Sequence, residues 1–298
     1  MPEPGTNMPA QMPDGASGPS PENRLRLLVV NADDFGWSRS VNEGIIGTHR
    51  TGIVTRASLL ATGRAFEDGV ERALATPTLA LGVHLEMYRD RPVLPVDAVS
   101  SLVGADGMFL GSSRAIIRGL MSNSFDLEQL ESEFRAQIER VRDAGIKPSH
   151  VDSEKHLHMW PAVFEIVCRL TKEFDIPYIR IVQEPPGVHL IPMGLSVLSL
   201  RNRRIARAHG LKTSNQTIGV TESPVDQTSL SRLLSSGRGQ CVELVVHPGH
   251  VDEEFWRIQA ELPNNLTYER EEQYKVLARP EAVVLVEQFG FELVQSGT

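Results

Sequence analysis

A run of apolar residues, Leu27-Leu28-Val29-Val30-Asn31-Ala32, ends on two adjacent carboxylates and a glycine, Asp33-Asp34-Phe35-Gly36. Acids at the end of a buried strand can take a proton from water or hold a cation. Side chains alternate across a strand, so both acids reach one pocket only if the chain is already leaving extended geometry there, which Gly36 permits. The plainer alternative is that Asp34, or Ser38, caps the helix that follows. Three further strand-like runs also end in a histidine or an acid: residues 79–85 deliver His84, residues 148–154 deliver His150, Asp152 and Glu154, and residues 242–246 lead into His247-Pro248-Gly249. The densest stretch is His150-Val151-Asp152-Ser153-Glu154-Lys155-His156-Leu157-His158. In extended geometry its alternate residues would share one face, spaced by roughly 6.5–7 Å per pair of residues. No core tolerates such a row unpartnered, so it points to a metal or catalytic centre.

The elements that must position these residues follow from the apolar pattern. Consecutive Leu and Val in the first run suit a strand covered on both faces, as in parallel sheets flanked by helices. Ser38 opens a predicted helix that stops at Thr51-Gly52, residues 55–60 form a strand, and residues 66–74 have helical spacing closed by Pro77. Residues 87–125, punctuated by Pro92, Pro95, Gly104, Gly107 and Gly111, read as a long loop of the kind that lines a substrate site. Asp126 begins a periodic helix through Leu127, Leu130, Phe134, Ile138 and Val141, ending at Gly145. Helices are expected at 164–174, 196–209, 230–234 and 269–289, the last interrupted at Pro280, with strands at 178–182, 213–220 and 242–249. This alternation specifies an α/β fold, an irregular (β/α) barrel of mostly parallel strands with its active site at the C-terminal strand ends.

The composition narrows the function classes. The 298 residues are 41% hydrophobic, enough for one large barrel domain over residues 24–298. A net charge of −8 without a basic run argues against nucleic acid or an anionic membrane as partner. Residues 201–207 alternate basic and apolar residues as a solvated helix face does. Cys168 and Cys241 sit in apolar runs and are expected to stay reduced. No stretch approaches the roughly 18 apolar residues of a membrane span. Residues 1–23, rich in Pro, Gly, Ser and Asn, read as a disordered leader without the apolar core of a signal peptide, and the expected compartment is the cytoplasm.

Asn31-Ala32-Asp33-Asp34-Phe35-Gly36, Gly52-Ile53-Val54-Thr55, Leu81-Gly82-Val83-His84-Leu85, the His-x-Asp-Ser-x-x-His-x-His run and His247-Pro248-Gly249, in this order, resemble the YdjC-like carbohydrate deacetylases, the group of the ChbG and HpnK proteins. The resemblance extends from about Arg24 to Glu292. It implies an irregular (β/α) barrel and a divalent-metal-dependent hydrolase that removes acetyl groups from N-acetylated sugars. By the resemblance Asp33 is the general base, Asp34 and His84 are metal ligands, and His247 protonates the departing amine. The family's remaining ligand is the histidine directly after Asp-Ser, a position held here by Glu154, with His156 as the alternative ligand. Two carboxylates and one imidazole favour a hard ion, Mg²⁺ first, with Mn²⁺ or Zn²⁺ as alternatives. A metal with open positions would acidify water and stabilise the tetrahedral intermediate.

Around that core, Asp152 is placed to orient a neighbouring histidine. Arg180 is a candidate for holding a substrate hydroxyl or carboxylate, or else is exposed at the sheet end. Trp37 and Trp160 are candidates for stacking on a sugar ring, although Trp160-Pro161 equally suits the packed start of a helix. The expected partner is an acetylated sugar, and relatives suggest a homodimer. Two other readings stay open: a metal hydrolase of a different bond, and a catalytically silent sugar-binding barrel, which Glu154 keeps in play. The sugar would be chosen by residues 87–125 and 183–193, which carry no readable code.

Overall fold

A computed structural model of the chain describes residues 26–183, 190–262 and 269–295; the proposed leader and most of residues 183–193 lie outside them. Strand β1 (Arg26–Phe35) is the centre of the sheet, buried from Leu28 to Phe35 as a strand covered on both faces must be. It pairs in parallel with β2 (Arg56–Leu60) and β6 (Cys241–Val246), and its first residues pair with β7 (Phe291–Leu293). With β3 (Ala80–Leu85), β4 (Val151–Ser153) and β5 (Gln216–Ile218), the order is β4-β3-β2-β1-β6-β5. The expected strand at 178–182 is present as single parallel bridges, Val151 with Ile179 and Tyr178 with Lys212. Thr217 N–H donates to the Gln183 carbonyl at 3.1 Å, so this segment lies between β4 and β5 and curls the sheet into an irregular (β/α) barrel.

Helices alternate with these strands. Helix α1 (Arg39–Thr51) is capped by Ser38, whose side chain accepts from Val41 N–H. Asp34 is thereby released from capping. After α2 (Phe66–Leu74), the stretch expected to be a loop contains a 3-10 turn (Val96–Val99), a bridge from Val103 to Phe109 and helix α3 (Ser113–Met121). The helix was not legible because its inward face is only Ile116, Gly119 and Leu120. Helix α4 (Leu127–Asp143), capped by Asp126, buries Leu130, Phe134, Ile138 and Val141 as its spacing predicts. Helices α5 (Pro161–Glu173), α6 (Leu190–Ala208) and α7 (Gln227–Ser236) follow, then α8 (Glu253–Glu261), which the sequence reading missed together with β7. The C-terminal helix is divided into α9 (Arg270–Leu277) and α10 (Pro280–Gln288), with Pro280 at the first position of the second segment.

The barrel interior is polar. Asn31, Arg56, Ser58, His150, Asp152, Tyr178, Arg180 and Glu243 are all buried there. Arg56 pairs with Glu243 at 2.8 Å and donates from Nε to Asn31 Oδ1 at 3.0 Å, its guanidinium stacked on Tyr178. Tyr178 in turn donates to Glu243 at 2.6 Å. Gly82 makes room for this layer: a Cβ there would lie 2.4 Å from the His150 ring.

Candidate active site

The register between β1 and β2 runs from Asn31–Arg56 to Ala32–Ala57, then slips and resumes at Phe35–Leu59. The slip falls on the acid pair, and Asp34 takes φ 67°, a left-handed conformation that short polar side chains tolerate better than most. That local turn brings successive side chains to one place. Asp34 Oδ1 lies 3.9 Å from His84 Nε2, while single ligand atoms of Asp33, His84 and Asp152 lie within 4.8 Å of one another.

Arg180 organises Asp33. Its Nη1 and Nη2 each donate at 2.8 Å to one Asp33 oxygen, Nη2 also lies 2.8 Å from Asp152 Oδ2, and Nε donates to Glu243 at 2.7 Å. Asn31 adds a hydrogen bond at 2.7 Å to Asp33 Oδ1, so Oδ1 takes two donors and Oδ2 one. A carboxylate has about four acceptor positions, and one remains on Oδ2. Arg180 is completely buried; it supports the acids and is not an exposed sheet-end residue.

Asp152 faces His84, with Oδ1 2.7 Å from Nδ1. Ser58 donates at 2.7 Å to its other oxygen. Burial disfavours the His84 imidazolium, but Asp152, Asp33 and Asp34 outweigh it and raise its pKa to about 9. For Asp152 burial acts upward, and Arg180 with His84 holds the carboxyl well below its ordinary range. Asp33, His84 and Asp152 form a buried group that could hold a metal ion.

The expected ligands Asp34 and Glu154 both meet arginines. Arg270 Nη2 donates to Asp34 Oδ2, and Arg89 Nη2 reaches Asp34 Oδ1 at 3.4 Å. Burial pushes the Asp34 carboxyl up, but these two guanidinium groups prevail and hold it far below the usual carboxylate range. Arg89 Nε donates to Glu154 Oε2 at 2.7 Å.

The row expected to be extended from His150 to His158 is not. β4 stops at Ser153, and Lys155 and His156 both have positive φ inside a 3-10 turn (Glu154–Met159). The three histidines therefore separate. His150 lies under β3 within hydrogen-bonding distance of Ser58 and Ser149, and His158 lies between Ser153 Oγ and the Arg180 carbonyl. His156 Nδ1 is buried without a partner, and burial followed by Arg180 lowers its pKa well below the ordinary value.

His247 directly follows β6, with its N–H donating to Gln273 at 2.8 Å. Its ring is close enough to Asp33 and Asp34 to feel both charges, yet burial dominates and its pKa is lowered, leaving a neutral imidazole at pH 7. Trp37 is buried and one face carries the Arg89 guanidinium at 3.6 Å, so that face is not free for a sugar. Trp160 precedes α5 as its N-cap residue and packs partly buried on the core.

Residues 27–288 match the YdjC-like protein family. The chain belongs to this family. A relative from Geobacillus stearothermophilus, named a carbohydrate deacetylase, is 29% identical over 273 residues, 90% of this chain and 96% of the relative. Another of that name from Oceanobacillus iheyensis is 31% identical over 230 residues, 76% of this chain and 87% of the relative. A third, from Brevibacillus brevis, is 40% identical over 150 residues, which span 50% of this chain and 57% of that relative. The crystal structure of an Enterococcus faecalis protein described as a cellobiose-phosphate cleavage protein has a TM-score of 0.72 at 25% identity, covering 90% of this chain and 97% of that one. Within this YdjC-like chain, the sequence reading missed Arg89, Arg270 and Glu243. Arg89 and Arg270 lie outside the motifs, marked only by burial of a charge, whereas Glu243 is the one charged residue of the apolar run 242–246, a signal the sequence does carry.

Proposed function

We propose that this protein is a carbohydrate N-deacetylase, a hydrolase that removes the acetyl group from an acetylated amino sugar, oligosaccharide or glycoconjugate. The observation that carries the reading is family membership over residues 27–288, with Asp33, Asp34, His84 and His247 at or just after the ends of parallel strands. One divalent ion is the proposed cofactor. Asp33, His84 and Asp152 fit it by donor chemistry, two carboxylates and an imidazole with closely spaced ligand atoms; such a set suits Mg²⁺ or Mn²⁺ first and Zn²⁺ next. Bound there, the ion would supply positive charge to polarise the acetyl carbonyl and acidify water.

The chain's own residues handle the proton. Asp33, expected as the base, has one acceptor position left, and we assign that position to the ion and the proton to His247. Neutral His247 accepts a proton from the attacking water as its oxygen bonds to the carbonyl carbon. The charges of Asp33 and Asp34 support the transient imidazolium. It returns the proton to the amine nitrogen as the C–N bond breaks, leaving acetate and a free amino sugar. Arg180 acts as a positioning residue, holding Asp33 and Asp152.

Among the described residues no helix is long and apolar enough to cross a membrane. The cytoplasmic location and the homodimer expected from the sequence remain parts of this proposal. The test is acetate release from N-acetylglucosamine, its oligomers and its conjugates, with EDTA or with added Mg²⁺, Mn²⁺ or Zn²⁺. Acetate release that stops with EDTA and returns with one ion is expected. Metal-loaded protein that frees no acetate from any of these overturns the reading; phosphate release would then favour hydrolysis of another bond, and binding without turnover a silent barrel.

A further inference from the structure

Arg89 lies in the connection after β3, and its side chain is completely buried. A buried guanidinium demands partners; Arg89 has them at Nε and Nη2, while its Nη1 and Glu154 Oε1 are buried without a hydrogen-bond partner among the described residues. Nε donates to Glu154 at 2.7 Å, Nη2 lies 3.4 Å from Asp34 Oδ1, Glu86 Oε2 lies 4.0 Å from Nε, and the Trp37 ring covers one face at 3.6 Å. The connection itself is clamped so that the side chain has little freedom. Glu86 Oε1 accepts from the backbone N–H of Tyr88 and Arg89, and Gln137 bonds both the N–H and the C=O of Glu86, at 2.8 and 2.7 Å. The cation thus lies between the acid at the end of β1 and the acid that follows β4, two of the three residues expected to ligate a metal.

We propose that Arg89 is the resident cation of the Asp34–Glu154 position, which therefore takes no divalent ion. A planar guanidinium neutralises both acids through directed hydrogen bonds and, with Arg270 on the other Asp34 oxygen, stands where an ion bridging Asp34 and Glu154 would stand. An ion held by Asp33, His84 and Asp152 is compatible with this, because Arg180 leaves one acceptor position on Asp33 Oδ2 and meets Asp152 at Oδ2, with His84 on the other oxygen. Glu154 is then not a weakened metal ligand but half of an ion pair with Arg89. The inference rests on the reading of the site and not on the reaction, so it is measured apart from turnover.

The experiment is Mn²⁺ titration followed by electron paramagnetic resonance, giving bound ions per chain, on wild type, Glu154→Gln, Arg89→Lys and Arg89→Met. Stoichiometry unchanged from wild type in Glu154→Gln and Arg89→Lys is expected. One additional ion per chain is expected in Arg89→Met, where a neutral side chain of similar length leaves Glu154 unpaired and Asp34 with Arg270 on one oxygen only. Loss of a bound ion in Glu154→Gln overturns the proposal, as does an Arg89→Met protein that melts cooperatively yet binds no additional ion. If Arg89→Met does not fold, the Glu154→Gln stoichiometry decides alone. Acetate release is absent from this readout, so an inactive protein leaves the outcome intact.

Discussion

Arg180→Met removes the cation that joins Asp33, Asp152 and Glu243, all within 2.8 Å of its nitrogen atoms. None of these side chains is more than 3% exposed, so water cannot replace the lost partner. Breaking a buried pair in this way costs about 3–5 kcal/mol. Unfolding entropy of about 2.1 cal/mol/K per residue over the 298 residues of the chain amounts to about 0.6 kcal/mol/K near the melting point. The expected fall in Tm at pH 7 is therefore about 5–8 °C. The deficit also depends on pH with a definite sign. Burial raises the Glu243 carboxyl, but Arg56 and Arg180 outweigh it and bring it down to about 2, while Asp152 is held well below its ordinary value. Depressed carboxylates contribute stability above their unfolded pKa and lose it as pH falls through the folded one. The gap between wild type and Arg180→Met is thus fully present at pH 7 and narrows as pH falls from 4.5 towards 2. Calorimetric melting of both proteins from pH 7 to pH 3 measures it. A variant that melts within about 2 °C of wild type at pH 7, less than half the expected shift, or a gap that does not narrow in acid, would refute the argument.

His247→Gln is expected to lower acetate release by about 10²- to 10⁴-fold with Tm little changed. Because its pKa is lowered from 6.5, the wild-type rate should hold through neutral pH and fall only as pH drops through a value below 6.5; steady-state pH–rate profiles check this, and an acid limb centred above 7 would contradict it. Gly82→Ala places a Cβ 2.4 Å from the His150 ring and should destabilise the fold by about 1–3 kcal/mol through overpacking, read by urea denaturation. Gln137→Ala strands the buried N–H and C=O of Glu86, at about 1–3 kcal/mol per group. Hydrogen exchange in residues 86–94 should rise, whereas unchanged protection there would mean that the clamp is not what holds Arg89.

Much of the site was legible because strand ends announce themselves. The placement of Asp33, Asp34, His84 and His247 follows from apolar runs that stop on a polar residue, a pattern local to each run. The row from His150 to His158 misled for the opposite reason: its alternation suits a strand, but Lys155 and His156 turn left-handed once β4 has no further partner to extend along. Helix α3 was hidden by proline and glycine around it and by a small inward face.

By itself the sequence determined the alternation of strands and helices, the Ser38 and Asp126 caps, and the set of ionisable groups at the strand ends. These rest on periodicity and near neighbours, which are written in consecutive residues. Only the tertiary structure decided which charge answers which. Arg180 finds Asp33 across 147 residues, Arg270 finds Asp34 across 236, and Arg89 finds Glu154 across 65. A buried arginine and one on a solvated helix face look alike in sequence. What distinguishes them is removal from water, which obliges each buried charge to have a partner, and it is the closing of the barrel that removes the water.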